Sequence, residues 1–183
     1  MSYVVLVLAS GRGERFLASG GGALAPHKLQ ALLQGQTVLQ RTLDAVRASG
    51  LRWHLEQDPH PGMGDSIAAA VRAAAAAYPD APGWLILPAD LPLIRPDTLR
   101  RVAEAPADGR VVRPVYQGQA GHPVRFDKAC TADLQTLQGD AGAAAVVRRY
   151  GPPRDLDVDD LGCITDIDTV EDLARAQAWL AGA

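Results

Sequence analysis

The chain has 183 residues, 48% of them hydrophobic and 21% charged, with a formal net charge of −3 at pH 7. This length and balance are those of one globular domain, 1–183, with a sizeable core, and the mild acidity argues against the basic face that general nucleic-acid binding needs. No apolar run is long enough for a membrane span, since Arg72 interrupts the Ala-rich stretch Ala68 to Ala77; Tyr3 to Leu8 is too short for a signal peptide and lacks its basic start, so a cytoplasmic location is expected.

The opening segment, Tyr3 to Lys28, organises the rest. Tyr3 to Leu8 is a continuous Val-rich run that stops at Ala9-Ser10-Gly11-Arg12-Gly13, the pattern of a buried parallel strand entering a tight glycine turn. Lacking Cβ atoms, Gly11 and Gly13 let backbone N–H groups approach an anion closely. Arg12, Arg15 and, beyond a Gly-rich stretch, Lys28 add cationic donors suited to a polyphosphate. Two common phosphate motifs are absent. The dinucleotide fingerprint would need glycine at Phe16, and a P-loop would need Gly-Lys-Ser/Thr where the chain has His27-Lys28-Leu29. Ser19-Gly20-Gly21-Gly22 has no core-forming pattern, so Leu17 to Pro26 is expected to be mobile without ligand and to close over it.

Further on, Gln34-Gly35-Gln36 reads as a turn. Thr37 caps a helix with Val38, Leu39, Leu43 and Val46 on its apolar face, ending at Gly50. Trp53 to Glu56 is a weak strand and Asp58 to Gly64 a loop. Asp65 or Ser66 then caps an Ala-rich helix that stops near Tyr78-Pro79, its N-terminus a second place for an anion or polar ligand. Trp84 to Leu87 is a buried strand running into Pro88-Ala89-Asp90-Leu91-Pro92, and an Asp just past a central strand sits where open α/β sheets bind ligands. Pro96 suits the first turn of a helix reaching Glu104. Strands Val111 to Val115 and His122 to Arg125 flank a hairpin-like turn. Cys130 to Leu137 is amphipathic, Gly139-Asp140-Ala141-Gly142 starts a helix to Tyr150, and Arg154 to Val158 is a short strand. A carboxylate-rich turn, Ile164 to Thr169, precedes a last helix, Val170 to Leu180, capped by Thr169. Cys130 and Cys163 form no CxxC and read as two free buried thiols. Strands alternating with helices, without repeat or linker, predict a mostly parallel α/β sheet.

Taken in order, LASGRGERF, Lys28-Leu29, Gly-Met-Gly-Asp-Ser, LPADLP, GQAGHPVRF, Gly-Asp-Ala-Gly and DIDTVEDL resemble the molybdenum-cofactor nucleotidyltransferases, and within them the molybdopterin cytidylyltransferase branch. Each motif alone is weak; seven in sequence over nearly the whole chain are specific. The resemblance implies a Rossmann-like nucleotidyltransferase fold of the nucleotide-diphospho-sugar transferase type, with helices on both faces of the sheet. It implies attack by an acceptor phosphate on the α-phosphate of a nucleoside triphosphate, CTP being favoured, with molybdopterin as acceptor, pyrophosphate as leaving group and Mg²⁺ as cofactor; a molybdoenzyme is a possible partner.

The same resemblance carries roles onto positions of this chain. Leu8, Ala9, Ser10, Gly11, Arg12 and Gly13 match the signature loop around base and triphosphate, with Arg15 beside it. Lys28 matches the lysine that neutralises the α-phosphate. Gly64, Asp65 and Ser66 match the helix start near the base. Asp90 matches the metal aspartate of a Gly-Asp-x-Pro motif whose glycine is here Ala89, and Asp168 a second acidic position near the metal. Gly121, His122 and Pro123 match the acceptor-side strand. Three features depart from the family pattern: a longer, Gly-rich link between Arg15 and Lys28, a contracted region at Trp53 to Glu56, and Ala144 where an arginine is expected.

Nucleotidyl transfer asks a protein mainly for positioning and charge stabilisation. Two carboxylates, Asp90 and Asp168, suit Mg²⁺, which takes one or two carboxylates along with phosphates and water. Arg15 and Lys28 suit charge developing on the α-phosphate and on the leaving pyrophosphate. An acceptor that is already an anionic phosphate needs no general base, in keeping with the lack of a base constellation. Other readings are guanylyl transfer to molybdopterin, nucleotidyl transfer to a sugar or polyol phosphate, and a nucleotide-binding partner of a molybdoenzyme without catalysis.

Overall fold

In the computed structural model, which describes residues 2–106 and 109–182, the Val-rich run is strand β1 (Val4–Leu8), buried along its whole length. The chain continues through helix α1 (Glu14–Ala18), a small antiparallel hairpin of β2 (Leu32–Leu33) and β3 (Gln36–Thr37), helix α2 (Val38–Ser49), strand β4 (Arg52–Glu56), helix α3 (Met63–Ala77), strand β5 (Gly83–Pro88) and helix α4 (Pro96–Glu104). Beyond these come β6 (Val111–Tyr116), β7 (Gln119–Ala120), β8 (Val124–Asp127), α5 (Thr131–Gln135), α6 (Ala144–Tyr150), β9 (Arg154–Asp157) and α7 (Val170–Gly182).

The main sheet has the order β4-β1-β5-β8-β6-β7, with β9 beside β6. β4, β1 and β5 are mutually parallel, β8 runs against both β5 and β6, and β9 is parallel to β6. The α/β fold is thus mixed, with most strands pointing one way. The chain reverses after β6 because Gln117 and Gly118, both at positive φ, close a two-residue turn into β7.

Alternate residues of β1 enter opposite layers. Val5 and Val7 pack with Leu43 of α2, Leu99 of α4 and Leu173 of α7. Val4, Leu6 and Leu8 pack with Ile67 and Val71 of α3, Leu134 of α5 and Val146 of α6. Helices on both faces explain why β1 and β5 are apolar without alternation. No helix among the described residues is long and apolar enough to cross a membrane.

The structure moves several expected boundaries. Helix α3 starts at Met63 with Gly62 at its N-cap, so neither Asp65 nor Ser66 caps it. Asp65 instead accepts from the Gly139 N–H at 2.8 Å, and Ser66 is buried under the Ser10 hydroxyl. The strand expected from His122 begins two residues later, because the His122 N–H donates to the Cys163 carbonyl rather than to the sheet. The helix expected from Gly139 is one 3-10 turn, Gly139–Ala141, broken by Gly142 at φ 52 before α6. The Gly-rich stretch is built around a fixed point: Phe16 is fully buried, and Gly21 lies against it so closely that a Cβ there would meet the ring at 2.3 Å.

Register decides where the loops emerge. Leu8 is level with Glu56 on one side and with Pro88 on the other. The segments after β1, β4 and β5 therefore leave one edge of the sheet together. Backbone bonds tie them: the Ala9 N–H reaches the Glu56 carbonyl at 2.7 Å, and the Ala89 N–H reaches that of Leu8 at 3.0 Å. The Ile167 N–H donates to the Asp90 carbonyl at 3.0 Å, bringing the last carboxylate-rich turn to the same edge.

Candidate active site

At that edge lies a cavity of about 410 Å³, lined by residues 10–15, Lys28, residues 60–63, Asp140 and Asp168. Its rim is the glycine turn. Gly13 has φ +67, and its missing Cβ leaves room for the His27 ring, 3.2 Å from where that atom would be. His27 Nε2 lies 2.7 Å from the Gly11 carbonyl, while Nδ1 accepts from the Leu29 N–H at 3.2 Å. One nitrogen must donate and the other accept, so the ring is the neutral Nε2–H tautomer. It joins the glycine turn to the 3-10 turn Lys28–Gln30.

Lys28 reaches from that turn to the cavity floor. Its ammonium donates to Asp90 Oδ2 and to Asp168 Oδ1, both at 2.6 Å, and Arg15 donates to Asp168 Oδ2 at 2.7 Å. Lys28 and Asp90 are largely enclosed, with side-chain exposures of 12% and 14%, whereas Arg15 is 81% exposed. Burial works to lower the Lys28 pKa, but the two carboxylates overcome it and hold it above the ordinary lysine value. For Asp168, burial works upward, and hydrogen bonds and charge from Lys28 and Arg15 bring the net shift below the ordinary aspartate value. The last helix does not use this carboxylate. Asp172 accepts from the Asp168 and Thr169 N–H groups and Thr169 caps Asp172, leaving the Asp168 side chain to the cations.

The donor chemistry at the floor fits a hard divalent cation. Asp90 Oδ1 is buried without a hydrogen-bond partner, and Asp168 shares the same ammonium. No group of three or more His, Cys, Asp or Glu side chains among the described residues could hold a metal alone. A pair of carboxylates completed by phosphate oxygens and water is the usual Mg²⁺ arrangement.

The remaining expected residues divide. Leu8 ends β1 and Ala9 follows it into the turn, and Ser10 donates to Ser66 at 2.6 Å, which links the turn to α3. Arg12 is exposed beside Glu14. Gly64 and Asp65 face the 138–139 backbone and do not line the cavity: a Cβ on Gly64 would meet the Gln138 carbonyl at 2.8 Å. Gly121, His122 and Pro123 lie off the cavity as well. Burial lowers the His122 pKa against the opposing Asp90 charge and Ile86 backbone, so the ring is neutral, and its Nδ1 is buried without a partner. His60, Pro61, Gly62, Met63 and Asp140 line the cavity; Gly62, Met63 and Asp140 stand in two of the motifs quoted above, but none of the five was given a site role from the sequence. Asp58 to Gly64 was read as a loop, but placing the helix cap at Asp65 or Ser66, three or four residues beyond Gly62, hid its role. Behind it the buried Glu56 carboxylate lies close to the His60 ring, Oε1 to Nε2 3.1 Å.

The chain matches the MobA-like NTP transferase domain over residues 43–154. It is similar over 97% of its length to 99% of Rv0371c from Mycobacterium tuberculosis H37Rv, at 26% identity and TM-score 0.74; that protein has also been solved in complex with manganese, at 24% identity, TM-score 0.73 and the same coverage. A nucleotidyl transferase from Methanothermobacter shares the fold at 22% identity and TM-score 0.76, with 99% of this chain and 98% of the other covered. So does a molybdopterin-guanine dinucleotide biosynthesis protein A from Archaeoglobus fulgidus, at 17% identity, TM-score 0.68 and coverages of 98% and 100%. No curated protein matches the chain.

Proposed function

The chain belongs to the MobA-like NTP transferase family, and from that premise we propose that it transfers CMP from CTP to the phosphate of molybdopterin, releasing pyrophosphate. The observation that carries this reading is the Lys28 ammonium held against Asp90 and Asp168 beneath the glycine turn, beside a cavity of about 410 Å³. An oxygen of the acceptor phosphate forms a bond to the α-phosphorus of the nucleotide, and the bond from that phosphorus to the bridging oxygen breaks, so the electron pair leaves with pyrophosphate. Backbone N–H groups of the glycine turn cradle the triphosphate. Lys28 and Arg15 neutralise charge on the α-phosphate and the leaving group. Asp90 and Asp168 would hold Mg²⁺, which when bound neutralises phosphate oxygens; the manganese complex of the mycobacterial neighbour supports a divalent cation. The wall at 60–63, with Ser66 behind Ser10, receives the base, and Gly121 to Pro123 the acceptor side.

Pyrophosphate release tests the reading with CTP, GTP, ATP and UTP, each with Mg²⁺ and with and without molybdopterin. CTP with molybdopterin is expected to give the highest turnover, because a base-reading site rejects a mismatched base by leaving its own polar groups unpaired. Equal or better turnover with GTP would remove the cytidylyl assignment. Affinity for nucleotide without turnover on any acceptor would make the protein a binder.

A further inference from the structure

Lys28 has two tasks that cannot be performed at once. Its ammonium is the counter-ion of Asp90 and Asp168, 2.6 Å from an oxygen of each. In the transferase reading, on which this inference rests, the same carboxylates are the metal ligands and the same ammonium serves the α-phosphate. A hard divalent ion sits roughly 2.1 Å from its oxygen ligands, so an ion bound by both carboxylates would occupy the space the ammonium now fills. Two cations repel strongly at that range, and one of them must leave.

We propose that Lys28 is a built-in counter-ion that closes the metal position until nucleotide draws it away, so that the triphosphate engages before the divalent cation or together with it. The surroundings suit such an exchange. Lys28 sits on a single 3-10 turn anchored by His27 and Leu29, and its flexible four-carbon stem lets the ammonium move while that anchor stays. Arg15 keeps its own bond to the second oxygen of Asp168 at 2.7 Å, so this carboxylate stays oriented when the lysine departs. Asp90 Oδ1, already without a hydrogen-bond partner, is available to the incoming ion. With no metal bound, the lysine is the cation that stands between the two carboxylates.

The test uses the full chain without nucleotide, titrated with Mn²⁺ and followed by loss of the free-ion electron paramagnetic resonance signal, with circular dichroism to confirm folding. Lys28→Met, which removes the competing cation, is expected to bind Mn²⁺ at least tenfold more tightly than wild type, and adding Asp90→Asn to it should abolish the gain. A folded Lys28→Met variant that binds Mn²⁺ no more tightly than wild type overturns the proposal. A second readout is open because the chain has only two lysines, Lys28 and Lys128. In protein labelled with ¹⁵N at the lysine side chains, metal-free CTP should shift the Lys28 ammonium resonance. The Lys128 resonance, on the Pro79 carbonyl at 2.8 Å, should stay in place. A Lys28 resonance unmoved by saturating metal-free CTP also overturns it. Failure of the transferase reading shows separately, as no pyrophosphate release from any nucleotide by a protein whose Lys28→Met variant still gains Mn²⁺ affinity.

Discussion

Asp90 and Asp168 reach the same ammonium from segments far apart in the chain, and their individual substitutions separate ligand from scaffold. Asp90→Asn and Asp168→Asn are each expected to lower turnover by about a hundredfold or more, the range for losing an electrostatic group in the transition state, with partial rescue by raised Mg²⁺ and an unchanged circular dichroism spectrum. Near-normal turnover of Asp168→Asn at low Mg²⁺ would leave Asp90 as the only carboxylate in the chemistry. The ion pairs also give stability a defined pH window. The Asp168 carboxyl lies below its ordinary value in the fold, so its contribution is complete above about pH 4 and is lost as pH falls through the folded value. Lys28 lies above its ordinary value, so its contribution is complete below about pH 10 and is lost as pH rises through the folded value. The difference in Tm between wild type and Asp168→Asn should be small and flat between those limits and should close in acid. A difference that widens below pH 4 would contradict the assignment.

At the scale of elements, two charged side chains maintain helix α4, and one belongs to the GHPVRF motif. Arg125 is 1% exposed, donates to the carbonyls of Val102, Ala103, Ala105 and Pro106, and lies over the Tyr3 ring at 4.9 Å. It therefore satisfies the orphan carbonyls at the C-terminal end of α4, and its part of the motif is structural. At the other end, Asp160 is 2% exposed and accepts from the Arg95 N–H, the Thr98 hydroxyl and the Gly162 N–H. Arg125→Met and Asp160→Ala should each destabilise the fold by about 2–3 kcal/mol, the cost of leaving buried backbone groups unsatisfied, as shifts in the urea midpoint. Nucleotide affinity of the folded fraction should be unchanged by Asp160→Ala. A shift under about 0.5 kcal/mol for both variants would show that water replaces these caps.

Across the whole molecule, stability is graded from the sheet to its loop edge. β1 and β5 are buried from both sides and should exchange their amide hydrogens only on global unfolding. Residues 19–26 carry exposed glycines and one short 3-10 turn, held by Phe16 and by the Ser19 hydroxyl at the Val170 N–H. They should exchange fast in the free protein and slow down when CTP and Mg²⁺ bind. Slow exchange there in the free protein, unchanged by nucleotide, would show that the segment is a fixed wall. The two thiols stay out of this chemistry: burial raises Cys130 and Cys163 to about 11, which keeps both protonated and unreactive near neutral pH.

The sequence by itself determined the features that rest on local rules. A Val-rich run stopped by glycines is a doubly buried strand entering a turn, Thr37 and Thr169 cap helices through their own hydroxyls, and Pro96 opens α4; each depends on neighbours within a few positions. That Asp90 emerges at the same edge of the sheet as the glycine turn was legible because parallel strands deliver the residues after them to one edge, whereas Lys28 arrives there on its own 3-10 turn. The tertiary structure decided the features that depend on partners distant in the chain. Gly62 and Gly64 are set by the backbone of 138–140, which leaves no room for side chains, so local capping preference misplaced the start of α3. Strand β8 begins at Val124 because the carbonyl of Cys163 holds His122 off the sheet. Asp168 turns to Lys28 because Asp172 already satisfies the helix end. Such choices are made by whichever hydrogen-bond partner the fold brings within about 3 Å, and a one-dimensional pattern does not contain that distance.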